Sequence, residues 1–280
     1  MIRVRFFSSF CDSKGAIDVF CRILKIINIP EYGKDIIFVD DESYTHAVIM
    51  NIATPSLKIP KENVLGLAFE PNAFLHLNKQ FISYATKHIG RYYIGDSKGL
   101  SSPFIEHHGF MWHAPFPNTI LPKTKLMSII FSEKNFSEGH KYRYSLVNEI
   151  FKNNLPIDIY GRGCRFIRMN DSRIKGEFKD EEPYDGYQFS IAIENYRLPA
   201  YISEKYLNCL LYETTPIYFG CENLSKIYPN TTIFLSGNLD KDLPLLKDII
   251  ANPDKYRKKI DRYDVLKNHN LIKHLYELWK

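Results

Sequence analysis

The residues best equipped for chemistry lie between Glu194 and Gly220, in the run ENYRLPAYISEKYLNCLLYETTPIYFG. An apolar stretch, Tyr187 to Ile193, ends in Glu194-Asn195, and a short loop with Pro199 and Tyr201 follows. Ser203 suits a helix N-cap and puts Glu204 and Lys205 in the first helical turn. Leu207, Leu210 and Leu211 share one face of that helix. It is expected to stop near Thr214-Thr215-Pro216, before a strand, Ile217 to Phe219, that ends at Gly220. The polar residues thus collect at a strand's carboxyl end and a helix's amino end, the edge where open α/β sheets bind ligands. Free backbone N–H groups and the helix dipole favour phosphate there, and Lys205 adds a full positive charge. Glu204 repels phosphate, so its carboxylate suits hydroxyl recognition, such as a ribose diol. An ordinary βαβ unit with a capped helix and surface charges fits the same letters.

The elements that must position these groups alternate between strand and helix, which implies α/β layers. Strands are expected at 2–6, 35–39, 46–50, 64–69 and 92–94. Helical spacing covers 17–27, ending near Pro30, and 74–87. The stretch from Gly99 to Lys123 holds Pro103, Pro115, Pro117 and Pro122 and reads as a linker. A second set follows, with a strand at 126–131, a helix at 142–153 and a strand at 157–160 running into Gly161-Arg162-Gly163. The expected division is 1–122, 123–265 and a closing helix over 266–280. Leu266, Leu271, Ile272, Leu275 and Leu278 line one face of that helix. Core packing is the favoured use of the face. Membrane-surface attachment, helped by Lys255, Arg257, Lys258, Lys259 and Arg262, is the runner-up.

Composition bounds the function. A chain of 280 residues suffices for two domains with separate cores. The formal net charge of +5 suits a small anionic ligand or a membrane surface and is too weak to argue for nucleic acid. Nineteen Tyr and nineteen Phe supply aromatic surface for sugar stacking, or plain core. Cys11, Cys21, Cys164, Cys209 and Cys221 are odd in number and widely spaced, and read as free thiols of a reducing compartment. No signal peptide or transmembrane run is read, so a cytoplasmic protein is expected, with peripheral membrane contact as an option.

The pattern E-N-x5-Y-x2-E-K, followed by a helix and P-I-Y-x-G, resembles the donor-binding signature of family 10 glycosyltransferases, the α-1,3/1,4-fucosyltransferases. Asn195, Tyr201, Glu204 and Lys205 match its spacing without a gap. The resemblance implies a GT-B fold, two Rossmann-like α/β domains facing a cleft, with the nucleotide on the second. It implies an inverting transfer, most simply of fucose from GDP-fucose to a hydroxyl of a glycan acceptor. Glu194, Asn195, Tyr201, Glu204 and Lys205 would then be donor-binding residues. No cofactor is required on this reading, and a divalent metal would at most stimulate. The chain departs from the commonest pattern: Ile193 replaces the usual Phe, and Tyr196-Arg197-Leu198 fills a loop of smaller or polar residues.

Three further places fit the same frame. In LGLAFEPN an apolar strand delivers Glu70 to a loop stiffened by Pro71. Inverting transfer needs one general base, and the family's base is a Glu after a first-domain strand near a Pro, which Glu70 matches. A surface carboxylate capping the next helix is the alternative. Ser132 to Arg143 resembles the family's loop after the first donor-domain strand, bringing Lys134 and Arg143 near phosphate or sugar oxygens. In YGRGCRF, Arg165, with Arg162 as second choice, matches an Arg that contacts the diphosphate. A rival metal-dependent reading rests on Asp40-Asp41-Glu42, equally a polar turn. His107, His108 and His113 lack metal-site spacing and read as acceptor-loop or structural residues. A same-fold transferase with another nucleotide sugar, and a non-catalytic binding module, complete the set of readings.

Overall fold

The computed structural model describes residues 1–27, 35–112 and 116–279. The chain divides into two compact units. The first comprises Met1–Ala114, Leu198–Tyr201 and Leu266–Lys280; the second comprises Pro115–Arg197 and Ile202–Val265.

The first unit carries β1 (Ile2–Ser8), α1 (Ser13–Ile27), β2 (Ile36–Phe38), β3 (His46–Met50), β4 (Val64–Leu67), α2 (Asn72–Leu75), α3 (Lys79–His88), β5 (Arg91–Ile94) and β6 (Phe104–Glu106). The strands form one parallel sheet in the order β2-β1-β3-β4-β5-β6. Strand order reverses direction between β1 and β3, which makes their carboxyl ends the switch point of this sheet. Val4, Phe6, Ala16 and Phe20 are wholly buried, as are Ala47, Ile49 and Tyr92. Such runs, apolar on both faces, are what a parallel sheet covered by helices demands. Two expectations fail here. The proline-bearing linker contains β6, a three-residue strand too short to stand out beside Pro103. The single helix over 74–87 is two, because His76 takes the left-handed conformation (φ 52°) and Asn78 caps α3 by accepting from Phe81 N at 2.8 Å. The expected end of α1 near Pro30 lies outside the described residues.

The second unit carries β7 (Lys125–Ile130), α4 (Glu138–Lys152), β8 (Asp158–Tyr160), β9 (Ile174–Gly176), β10 (Tyr187–Ile193), α5 (Glu204–Leu211), β11 (Thr215–Phe219), α6 (Leu224–Ile227), β12 (Ile233–Phe234), α7 (Leu239–Ala251) and α8 (Pro253–Tyr256). Its parallel order is β12-β11-β10-β7-β8-β9, the doubly wound arrangement of mononucleotide-binding halves. Here the switch point falls between β7 and β10. Met127, Ile129, Leu146, Ile150, Ile191, Ile217 and Leu246 fill the core. Pro216 sits inside β11 instead of ending the preceding helix. It is tolerated because β12 pairs only with the next residues, Ile217 and Tyr218. The helix α4 starts four residues before the expected Tyr142, because Ser137 caps it.

The closing segment is two helices, α9 (Tyr263–Asn268) and α10 (Leu271–Trp279), separated at His269-Asn270. Leu266, Leu271, Ile272 and Leu275 are buried, as an apolar face requires. The basic residues precede that face: Lys255 is in α8 and pairs with Asp248 at 3.0 Å, while Arg262 donates to Pro117 O at 2.7 Å. The single basic amphipathic helix of the membrane reading is therefore not formed. Among the described residues no helix is long and apolar enough to cross a membrane. All five cysteines are free thiols.

Four histidines of the first unit stack around Tyr93 and Phe110. His107 lies 4.2 Å from His108 and 4.6 Å from Tyr93, and His108 lies 4.7 Å from His269. His274 Nε2 is 3.1 Å from the Tyr93 hydroxyl, and Met111 N donates to His269 O at 2.8 Å. His107 and His108 thus tie the loop after β6 to the last helices; His113 lies outside the described residues. Burial, aided by His108 and His274, pushes His107 down to about 3. Burial also lowers His108, His269 and His274, with Glu277 opposing and Arg91 assisting at His274.

Each folded value lies below the ordinary 6.5, so the unfolded chain takes up protons first as pH falls. For His107 stability is full above 6.5 and is lost below it toward about 3, by about 1.4 kcal/mol per pH unit, and the other three histidines lose stability in the same direction. Urea midpoints measured from pH 7.5 to 4.5 are expected to fall steeply below 6.5. The H107Q variant flattens that slope, and a slope unchanged by H107Q counts against this cluster as its source.

Candidate functional site

At the switch point of the second sheet, β10 runs out into Glu194-Asn195. Glu194 is 0% exposed. Its carboxylate accepts from Ser203 N at 2.8 Å, from Ser203 Oγ at 2.6 Å and from the Tyr218 hydroxyl at 3.3 Å, and Lys205 Nζ lies 3.9 Å away. Burial raises the Glu194 pKa, while Lys205 and the Ser203 bonds pull the other way. A buried carboxylate costs several kcal/mol unless it is paired and hydrogen-bonded, and this one is both. The backbone at Glu194 is approached closely: a Cβ on Gly139 of α4 would lie 1.8 Å from Glu194 O, so only glycine fits there. Gly139 N donates to Asn195 O at 3.1 Å. Glu194, expected among the ligand-binding residues, is placed beneath the surface as the post to which the amino end of α5 is tied.

Two helix amino ends converge above that post, those of α4 and α5. Ser203 caps α5, as its position in the sequence indicates, by accepting from Lys205 N at 3.3 Å. Ser137 caps α4 and pairs with His140, whose Nδ1 lies 2.6 Å from Ser137 Oγ. Lys205 is 19% exposed and bonds Ser203 Oγ at 3.1 Å and Glu204 at 2.8 Å. Burial works against its charge, but Glu204 and Glu194 together outweigh that and hold its pKa above the ordinary value. Arg143, 2% exposed, donates to Ile193 O at the end of β10. The positive character of the place registers on His140, pushed down to about 4 by burial and then by Arg143, Lys134 and Lys205. Helix amino ends, Lys205 and Arg143 together give the carboxyl edge of the sheet a positive character.

The remaining second-unit candidates lie on loops and helix ends of the same unit. Asn195 is part-exposed beside α4, and Glu204 is half-exposed in the first turn of α5. Arg197 lies across the same mouth, with its N–H on Glu138 at 2.7 Å and its guanidinium 3.4 Å from Glu222. Arg162 and Arg165 share the short turn Arg162–Phe166 after β8. Both are well exposed; Arg162 lies 3.7 Å from Glu133, and Arg165 pairs with Glu177. His140 escaped sequence reading because a capping box is normally closed by Glu or Gln, and here the third residue is His.

In the first unit, Glu70 follows β4 and Phe69, and Pro71 starts α2. The Tyr201 hydroxyl donates to Glu70 Oε2 at 3.4 Å. Tyr201 is buried against Gly95, where a Cβ would come within 2.9 Å of its side chain, and Ala200 N donates to Gly95 O at 3.0 Å. The structure therefore groups Tyr201 with Glu70, a pairing that their separation in sequence hides. Asp41 serves a turn, accepting from Ser43 N at 2.9 Å, and that bonding to Ser43 lowers its pKa. Among the described residues no group of three or more His, Cys, Asp or Glu is placed to hold a metal ion.

Comparison with known proteins places this geometry. The family model described as glycosyltransferase family 10 (fucosyltransferase), C-terminal, matches residues 120–263. A protein of Acanthamoeba polyphaga mimivirus named as a fucosyltransferase is 30% identical over 178 residues, 54% of this chain and 28% of its own length. Alpha-(1,3)-fucosyltransferase B of Drosophila melanogaster is 26% identical over 223 residues, 72% of this chain and 48% of its own. The chain thus spans about half or less of the length of these curated relatives. Among solved structures, an α1,3-fucosyltransferase with GDP-fucose is similar at a TM-score of 0.58 and 12% identity, covering 99% of this chain and 89% of that one. The fold is accordingly GT-B, built of two parallel six-stranded α/β sheets.

Removing the buried post is expected to loosen the whole pole. Glu194→Ala leaves Lys205 and Ser203 without their partner and costs about 3–5 kcal/mol of stability, read from urea unfolding. A loss below about 1 kcal/mol would show that the carboxylate is not the anchor of α5.

Proposed function

The chain belongs to glycosyltransferase family 10, and from that premise we propose that it transfers fucose from GDP-fucose to a hydroxyl of a glycan acceptor with inversion. The observation that carries the reading is the positive pole at the β7/β10 switch point, inside the stretch that matches the family. On this reading the diphosphate lies over the amino ends of α4 and α5 and is met by Lys205, with the buried Arg143 adding positive potential from below. Glu204 and Asn195 serve the ribose hydroxyls, and Arg165, or its neighbour Arg162, turns from its surface carboxylate to the leaving diphosphate. Glu194 acts through Ser203 and Lys205 and touches no ligand.

Glu70 is the proposed general base. Its carboxylate takes the proton of the acceptor hydroxyl as that oxygen attacks the anomeric carbon; the bond from that carbon to the diphosphate breaks, and GDP leaves with the electron pair. Tyr201, donating to Glu70 Oε2, holds the carboxylate in one orientation. Neutralising charge on the leaving group by arginine, lysine and helix dipoles supplies electrostatic stabilisation without asking a metal for it.

Calorimetry with GDP, GDP-fucose and UDP, without and then with Mn²⁺, tests the donor. Binding of GDP and GDP-fucose without metal, and exclusion of UDP, is expected; metal-dependent UDP binding would overturn the assignment. Lys205→Ala weakens GDP about tenfold or more, the scale of one lost charge-assisted contact. Glu70→Gln keeps GDP affinity while turnover falls about a hundredfold. Normal turnover in Glu70→Gln removes Glu70 from the role of base.

A further inference from the structure

The carboxyl edge of the first sheet carries a feature that the roles above leave unused. Beyond the end of β1 stands Phe10, 48% exposed; beyond β4 stands Phe69; beyond β6 stands Trp112. Their rings meet edge-on or tilted: Phe10 to Trp112 at 5.5 Å, Phe69 to Trp112 at 5.3 Å and Phe10 to Phe69 at 6.4 Å. Trp112 rests on Phe20 at 5.4 Å, and Phe20 is stacked on Phe6 at 4.9 Å; both of the latter are wholly buried. An aromatic column therefore rises from the core and ends in part-exposed rings.

The loops beneath these rings are tied down. Ser8 Oγ accepts from Phe10 N at 3.1 Å, and Asn51 Oδ1 accepts from Phe69 N at 2.9 Å. The platform lies by the β1/β3 switch point of its own sheet, the ligand-binding place of a doubly wound fold. Phe69 is the chain neighbour of Glu70. The segments Ser8–Asp12, Ala68–Asn72 and Phe110–Trp112 contain no Lys or Arg, and their charged side chains are Asp12 and Glu70, both acidic. Phosphate and nucleotides are repelled by such a surface. A neutral ring with a C–H face toward the aromatics and hydroxyls toward the carboxylate fits it.

We infer that Phe10, Phe69 and Trp112 form the stacking platform for a pyranose ring of the acceptor, placing its hydroxyl edge beside Glu70. This inference rests on the transferase reading for its purpose, and its test is independent of the donor. In a Trp279→Phe background Trp112 is the sole tryptophan, so its emission reports the platform. Titration with the methyl β-pyranosides of glucose, galactose and N-acetylglucosamine is expected to shift that emission saturably for at least one sugar, whereas mannitol, an open-chain polyol, has no effect. Phe10→Ala weakens the sugar about fivefold or more, and Phe10→Tyr restores it. No sugar-dependent signal, an equal response to mannitol, or unchanged affinity in Phe10→Ala overturns the platform. GDP-fucose binding, followed separately by calorimetry on the same proteins, separates the two readings. Its loss with the sugar signal intact sinks the donor assignment alone, and its presence without a sugar signal sinks the platform alone.

Discussion

One buried carboxylate organises the second unit. Glu194 is out of contact with water and satisfied by a backbone N–H, two hydroxyls and a nearby ammonium. Those partners come from the cap of α5, its first turn and β11. A single carboxyl group in a dry place thereby fixes where a helix begins, how it points and where its lysine stands. Helix dipole, Lys205 and the neighbouring Arg143 then inherit a geometry that none of them sets alone. The close approach of α4 at Gly139 belongs to the same arrangement, because it brings a second helix amino end to the same backbone.

The two sheets solve the placement of chemistry in related ways. Each is wholly parallel, so every strand delivers its carboxyl end to one edge. The second sheet reverses strand order between β7 and β10 and gathers positive groups there. The first reverses between β1 and β3 and gathers aromatic rings and carboxylates. The two edges thus differ in the residue types that follow their strands, basic groups on one and aromatic rings with carboxylates on the other.

Much of this was legible in the letters, and the reasons for the remainder are physical. The Ser203 cap and the strand-to-helix turn after Ile193 follow from local preferences that burial does not disturb. Glu194 was visible as a carboxylate at a strand end, but depth is a tertiary property, and its letters do not distinguish a ligand contact from a buried tie. Strand β6 was hidden by the prolines around a three-residue segment, and the break at His76 by the helical spacing of the residues on either side. Tyr201 read as part of one motif with Lys205, whereas it packs on Gly95 and Glu70, residues more than a hundred positions earlier. Motif spacing records proximity along the chain, and long-range packing reassigns it.

The strands at the margins of both sheets are very short: β2, β6 and β9 have three residues each and β12 has two. An edge strand offers unpaired backbone groups on which another chain can build, and its hazard grows with length. Edges of two or three residues present too few consecutive groups to template a new strand. The longest strands, β1 and β10, each have a neighbouring strand on both sides. Among the described residues the strand lengths thus oppose edge-to-edge aggregation, and Arg3 and Arg5 add charge along β1 itself.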